Sequence, residues 1–158
     1  MSSEHHQSAE KIRAGLRHPV VDADGHWIEF GPYVREELRR IGGDRAVEGF
    51  TFFSALAERN LTLTPAQRTE KRVAQGPWFT QPCANTRDRA TAMLPRLLYE
   101  RMDEFGLDFS VLYPSSGMAT VRIPDDSLRA PTCRAFNTFS AEYFSRYADR
   151  MTRAAMIP

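Results

Sequence analysis

The chain has 158 residues, 42% hydrophobic and 26% charged, and its 21 Lys and Arg against 20 Asp and Glu leave a formal charge of +1 with His neutral. That is room for one domain with an ordinary globular composition, which argues against disorder over the whole chain. The charge balance lacks the basic excess that nucleic acid or an anionic membrane surface demands. Residues 1–17 read as a polar leader, mobile or helical, without the basic start and apolar run of a signal peptide. His5 and His6 lie in it and read as part of a frayed end. Residues 19–24 read as a short buried strand, followed by Gly25, where a tight turn or a close backbone approach is easy. A helix is expected over 32–41, with Pro32 in its first turn and Gly42-Gly43 after its end. A second short helix is expected over 50–59. Thr64 and Pro65 have the chemistry of an N-cap and a first helical position, opening a polar helix to about residue 75. Residues 76–82 are irregular.

From Thr86 onward, Ala90, Met93, Leu94, Leu97, Leu98 and Met102 recur at helical spacing, with Pro95 predicting a kink or restart and Gly106 the end. A strand is expected over 109–113, stopped by Pro114-Ser115-Ser116-Gly117. Ser127 opens the best-defined helix, in which Phe136, Phe139, Tyr143 and Tyr147 repeat every three or four residues and form a core-facing surface. A third strand is expected over 153–157. Strand, helical connection, strand, helix, strand implies a parallel sheet with right-handed crossovers. No apolar run approaches the ~20 residues that span a bilayer. Cys83 and Cys133 are too few for a disulfide framework, so a cytoplasmic setting is expected.

The chemistry concentrates in Asp22-Ala23-Asp24-Gly25-His26-Trp27-Ile28-Glu29. If the strand continues, Asp22, Asp24 and His26 share one face, because strand side chains repeat every two residues. A carboxylate oxygen and an imidazole nitrogen both suit Zn²⁺, but a zinc site needs at least three protein ligands and this segment offers two. The bland alternative is a polar turn around Asp24-Gly25. His5, His6 and His18 are the remaining histidines, and none is well placed to complete a site. Glu29 reads as a group supporting a ligand or touching substrate. Ser115 reads either as a polar loop residue or, in a barrel, as a substrate-facing group at a strand end. Arg72, Arg87 and Arg89 suit a substrate carboxylate in principle, but the plainer reading is solvated helix charge. There is no phosphate-binding glycine loop, no paired cysteine motif and no Gly-x-Ser-x-Gly elbow.

Several stretches in order carry a likeness: Val20-Val21 with the Asp22–Glu29 run just quoted; Asn85-Thr86-Arg87-Asp88-Arg89-Ala90 to Pro95, continuing through Leu98 to Gly106-Leu107-Asp108; Val111-Leu112-Tyr113-Pro114 with Gly117; Cys133-Arg134-Ala135-Phe136-Asn137, then Ala148-Asp149-Arg150 and Ile157-Pro158. Together they resemble the amidohydrolase-related family of metal-dependent hydrolases and decarboxylases (aminocarboxymuconate-semialdehyde decarboxylase-like). The resemblance implies an α/β fold, the N-terminal portion of a (β/α)8 TIM-type barrel, with about three parallel strands and helical connections over residues 18–158. It implies a divalent metal, Zn²⁺ first and Mn²⁺ as an alternative, at the C-terminal strand ends. Asp24 stands where the family's first-strand motif has a His or an acid, and His26 where it has its second His, so both carry over as metal ligands. The family's further ligands lie on later strands. The implied activity is hydrolysis or non-oxidative decarboxylation of a small carboxylated or cyclic substrate, and the catalytic acid or base is not identified. A barrel takes about 250 residues, so the chain is expected to be part of an enzyme and inactive alone. It would then act with a complementing C-terminal half or as a homo-oligomer. The alternative is a non-catalytic product that serves only as such a half's interaction partner.

Overall fold

A computed structural model describes residues 8–61, 63–72, 83 and 85–158, with backbone alone for 52–61. Three strands, β1 (Val21–Trp27), β2 (Phe109–Pro114) and β3 (Met151–Arg153), form one parallel sheet in the order β1-β2-β3. Each strand therefore pairs with the next in sequence. Helices supply the long crossovers that parallel pairing requires.

A short helix, α1 (Ala9–Ala14), precedes β1 and is capped by the Ser8 hydroxyl. It is not loose: Arg13 forms a two-pronged ion pair with Asp108 just before β2, with Nη2 at 2.7 Å and Nε closer still. Asp108 also accepts the Val20 N–H at 2.7 Å, so one carboxylate ties α1, the entry to β1 and the entry to β2. The Arg13 guanidinium, with that N–H, lowers the Asp108 carboxyl to about 2. A depressed carboxylate stabilises the fold above its ordinary range and loses that contribution as pH falls through its folded value. Release of α1 is thus expected only near pH 2, and Arg13→Ala should move the acid transition upward. Acid titration followed by amide exchange in α1 measures it.

The expected helices over 32–41 and 50–59 lie in α2 (Gly31–Leu61), two helical segments that meet at the non-helical Gly43, with φ 69° and ψ −169°; the second starts well before residue 50. Only glycine enters that region without strain, so Gly43 ends the first segment where the sequence pattern predicts a stop. α3 (Pro65–Lys71) begins as expected, with Thr64 and Gln67 forming a reciprocal capping box and Pro65 in the first turn. Its expected extension to residue 75 runs into 73–82, which lie outside the described residues. α4 (Thr86–Met93) and α5 (Pro95–Arg101) are the segment interrupted by Pro95. Leu94 between them is extended and half exposed.

The longest uninterrupted helix, α6 (Asp126–Phe144), opens on Asp125, whose carboxylate accepts the Ser127 N–H at 2.8 Å. Of the expected stripe, Phe136 and Phe139 are in the core, while Tyr143 and Tyr147, the latter in a 3-10 turn after α6, are half-buried against it. Phe136, Phe139 and Phe144 are buried against Trp27 of β1, with ring centroids 5.2–6.1 Å apart. Leu38 and Phe50 of α2 close the same cluster. β3 differs from its expected range. It ends at Arg153, and Ala154 adds one more ladder bond to Leu112 O at 2.9 Å. The Asn137 side chain then takes both backbone groups of Met156, at 2.8 and 2.7 Å. That amide substitutes for a strand partner and bends the backbone toward α6. No helix among the described residues is long and apolar enough to cross a membrane.

Candidate functional site

Parallel strands deliver their C-terminal ends to one edge of the sheet, where loops can combine residues distant in sequence. β1 leads there to Ile28 and Glu29, and β2 to Ser115, Ser116 and a 3-10 turn over Gly117–Arg122. The Ser115 N–H donates to Trp27 O at 3.1 Å, which stitches the two exits together, and the Ile28 N–H donates to Ala92 O at 2.7 Å, which ties the β1 exit to α4.

Glu29 completes the stitch. Its side chain is buried, and its two carboxylate oxygens accept the N–H groups of Ser116 at 2.8 Å and Gly117 at 2.6 Å. Burial pushes its carboxyl upward, and the N–H donors oppose that shift. With both oxygens engaged, Glu29 anchors the loop after β2. A substrate contact there would compete with two backbone hydrogen bonds. Ser115 is 4% exposed, and its Oγ has no hydrogen-bond partner among the described residues.

His26 behaves differently from Asp22. Asp22 pairs with Ser110 and Gly25 with Leu112, so β1 carries one more residue than β2 over this span. Such a bulge shifts the alternation by one. Asp22 falls on the side of Ser110, whose hydroxyl lies 3.4 Å from its Oδ2. His26 falls beside Tyr113, ring centroids 6.0 Å apart and tilted by 38°. Asp24, two residues before His26, is exposed. The expected common face is corrected for Asp22 and His26, which the register shift puts on opposite sides; Asp24 lies within the shift, without a partner on β2. Asp-x-x-Gly is a turn signal, and it was the available clue to that separation.

Asp24 and His26 supply one carboxylate and one imidazole, a donor set suited to part of a zinc or manganese centre. Among the described residues no group of three His, Cys, Asp or Glu side chains is placed to hold a metal ion. His5 and His6 lie outside the described residues. His18 precedes β1 at its other end, exposed, with Nδ1 3.2 Å from Pro19 O. Cys133 is buried against Thr120, and Cys83 is exposed.

A cleft of about 410 Å³ is lined by Asp22, Gly25, His26, Asp88, Arg101 and Ser110 among others, so Asp22 and His26 border one cavity although the register puts their side chains on opposite sides of the sheet. Its cation is already occupied: buried Arg101 binds Glu104 at 2.7 and 2.8 Å, Asp88 at 2.9 Å and the Thr91 hydroxyl at 2.5 Å. Those carboxylates raise its pKa and hold it charged. Arg87 is exposed and faces Glu104 at 3.6 Å. A larger groove of about 480 Å³ between α2, α5 and α6, lined by Tyr33, Phe139, Tyr143 and Tyr147, contains none of Asp24, His26, Glu29 or Ser115. Comparison with family models, curated proteins and solved structures finds no match for this chain.

Proposed function

We propose that the chain is the N-terminal part of a metal-dependent (β/α)8 enzyme of the amidohydrolase-related class. It would act as a hydrolase or non-oxidative decarboxylase on a small carboxylated or cyclic substrate. The observation that carries the reading is the Asp24–His26 pair on the first strand of a parallel sheet whose strands follow chain order. Three parallel strands in chain order fit consecutive strands of a barrel, as they also fit one βαβαβ half of a doubly wound sheet. Asp24 and His26 would hold the metal, with the remaining donors coming from outside the described residues. When bound, a divalent metal polarises a substrate oxygen or lowers the pKa of water. Ser115 would present its hydroxyl toward substrate, and Glu29 would hold the loop that carries it.

The test is an assay of the complete protein supplied with Zn²⁺ or Mn²⁺. Release of CO₂ from an aromatic or enoic acid marks the decarboxylase branch, and cleavage of an ester, lactone or amide without CO₂ the hydrolase branch. His26→Ala should cost more than the ~10–100-fold lost when an outer partner of a metal ligand is removed. Wild-type turnover in that variant would refute the ligand assignment.

A second reading is a non-catalytic chain that serves as the interaction partner of a complementing half. A sheet whose outer strands, among the described residues, each pair on one side favours it. It predicts dye-binding apolar surface and no tight Zn²⁺ in the monomeric chain.

A further inference from the structure

We infer that Asp22 is a positioning residue: its carboxylate holds the β1 bulge that turns His26 to the Tyr113 side of the sheet. The functional meaning of this inference rests on the metal-ligand reading above; its structural content does not.

An unbroken Asp-x-Asp-x-His strand would point all three side chains one way. Here Ala23 and Asp24 have no register partner on β2, and regular pairing resumes only at Gly25. Asp22 spans this gap. Its Oδ1 accepts the Asp24 N–H at 3.1 Å, closing a turn around the unpaired residues, and its Oδ2 lies 3.4 Å from the Ser110 hydroxyl. The carboxylate therefore grips its own strand and the neighbouring one together.

Gly25 is the second half of the device. A Cβ there would lie 2.8 Å from Asp22 Oδ2, 2.8 Å from Ser110 Oγ and 2.9 Å from Leu112 Cδ2. Gly25 thus packs on the Asp22 side three residues further on, where a regular strand would put it on the opposite side. Only the absence of a side chain lets the carboxylate sit over it. Bulges re-aim side chains in this way beside functional sites.

The experiment is nuclear Overhauser spectroscopy on the isotopically labelled chain without metal. In the wild type, the His26 and Tyr113 ring protons should show cross-peaks, as the 6.0 Å ring separation requires. Asp22→Ala should lose them, because no side chain then closes the turn on the Asp24 N–H. Asp22→Asn keeps an oxygen acceptor at that position and should retain them. An Asp22→Ala variant that keeps the cross-peaks overturns the inference, as does an Asp22→Asn variant that loses them while folded. If Asp22→Ala does not fold, hydrogen exchange in the wild type decides: a protected Asp24 amide supports the inference and a freely exchanging one overturns it. Zn²⁺ retention separates the two levels. Cross-peaks that follow the prediction while His26→Ala leaves metal content unchanged would sink the ligand reading and leave the role of Asp22 standing.

Discussion

Replacing Glu29 with Ala is expected to destabilise the chain by roughly 2–6 kcal/mol, because it strands one buried and one part-buried N–H group at ~1–3 kcal/mol each. Those groups belong to Ser116 and Gly117, and no other acceptor is seen for either among the described residues. Glu29→Gln should cost less at neutral pH, since one amide oxygen still accepts, while its NH₂ meets the second donor. The pH dependence separates the variants further. Burial raises the Glu29 carboxyl above its ordinary value, so between the two values the folded chain holds a proton that the unfolded chain has released. Stability supplied by this group declines as pH rises through that window, and the Gln variant should lack the slope. Urea unfolding from pH 4 to 8 measures both effects. An Ala variant as stable as the wild type would show that Glu29 does not anchor the loop.

Phe136→Ala should cost about 3–5 kcal/mol, the usual loss for a large buried ring. Phe136 is 1% exposed and lies within ring contact of Trp27, Phe50 and Phe139. It also explains Gly117: a Cβ on that glycine would sit 2.1 Å from Phe136 Cζ. Gly117→Ala alone should therefore destabilise by about 1–3 kcal/mol through overpacking. In the Phe136→Ala background the ring is gone, and the same change should cost little. A double-mutant cycle by urea unfolding reads this coupling directly. Additive costs would mean that the loop after β2 does not rest on the core ring. The same contact links fold to site, because Gly117 is held by the Glu29 carboxylate on one side and faces Phe136 on the other.

The elements that the sequence predicts well are those with local signals. Thr64-Pro65-x-Gln67 specifies its own cap, Pro95 its own break, and the aromatic spacing of α6 its buried face. The misses have non-local causes. Gly42-Gly43 ends the first helical segment as its pattern predicts, but the second segment of α2 resumes directly after Gly43 rather than near residue 50, packed along α6. The β3 range shifted because a side chain on α6, Asn137, captured Met156. At the candidate site, the alternation that joins Asp22 to Asp24 and His26 failed for a single extra residue, which shows only in the register against β2. Glu29 was identified as a residue of interest, but its backbone donors lie 87 and 88 residues away, beyond any motif. Asp24 and His26 as a pair come from a short motif and a resemblance. The geometry adds the strand, the edge and the side on which His26 lies.

The most direct measurement is the metal content of the protein isolated from its natural source, by elemental analysis against protein concentration, with Asp24→Ala and His26→Ala introduced at the same locus. The proposed centre predicts a stoichiometric divalent ion in the natural protein and its loss in both variants. A natural protein without bound metal, or variants that retain it in full, would contradict the proposal that Asp24 and His26 are ligands.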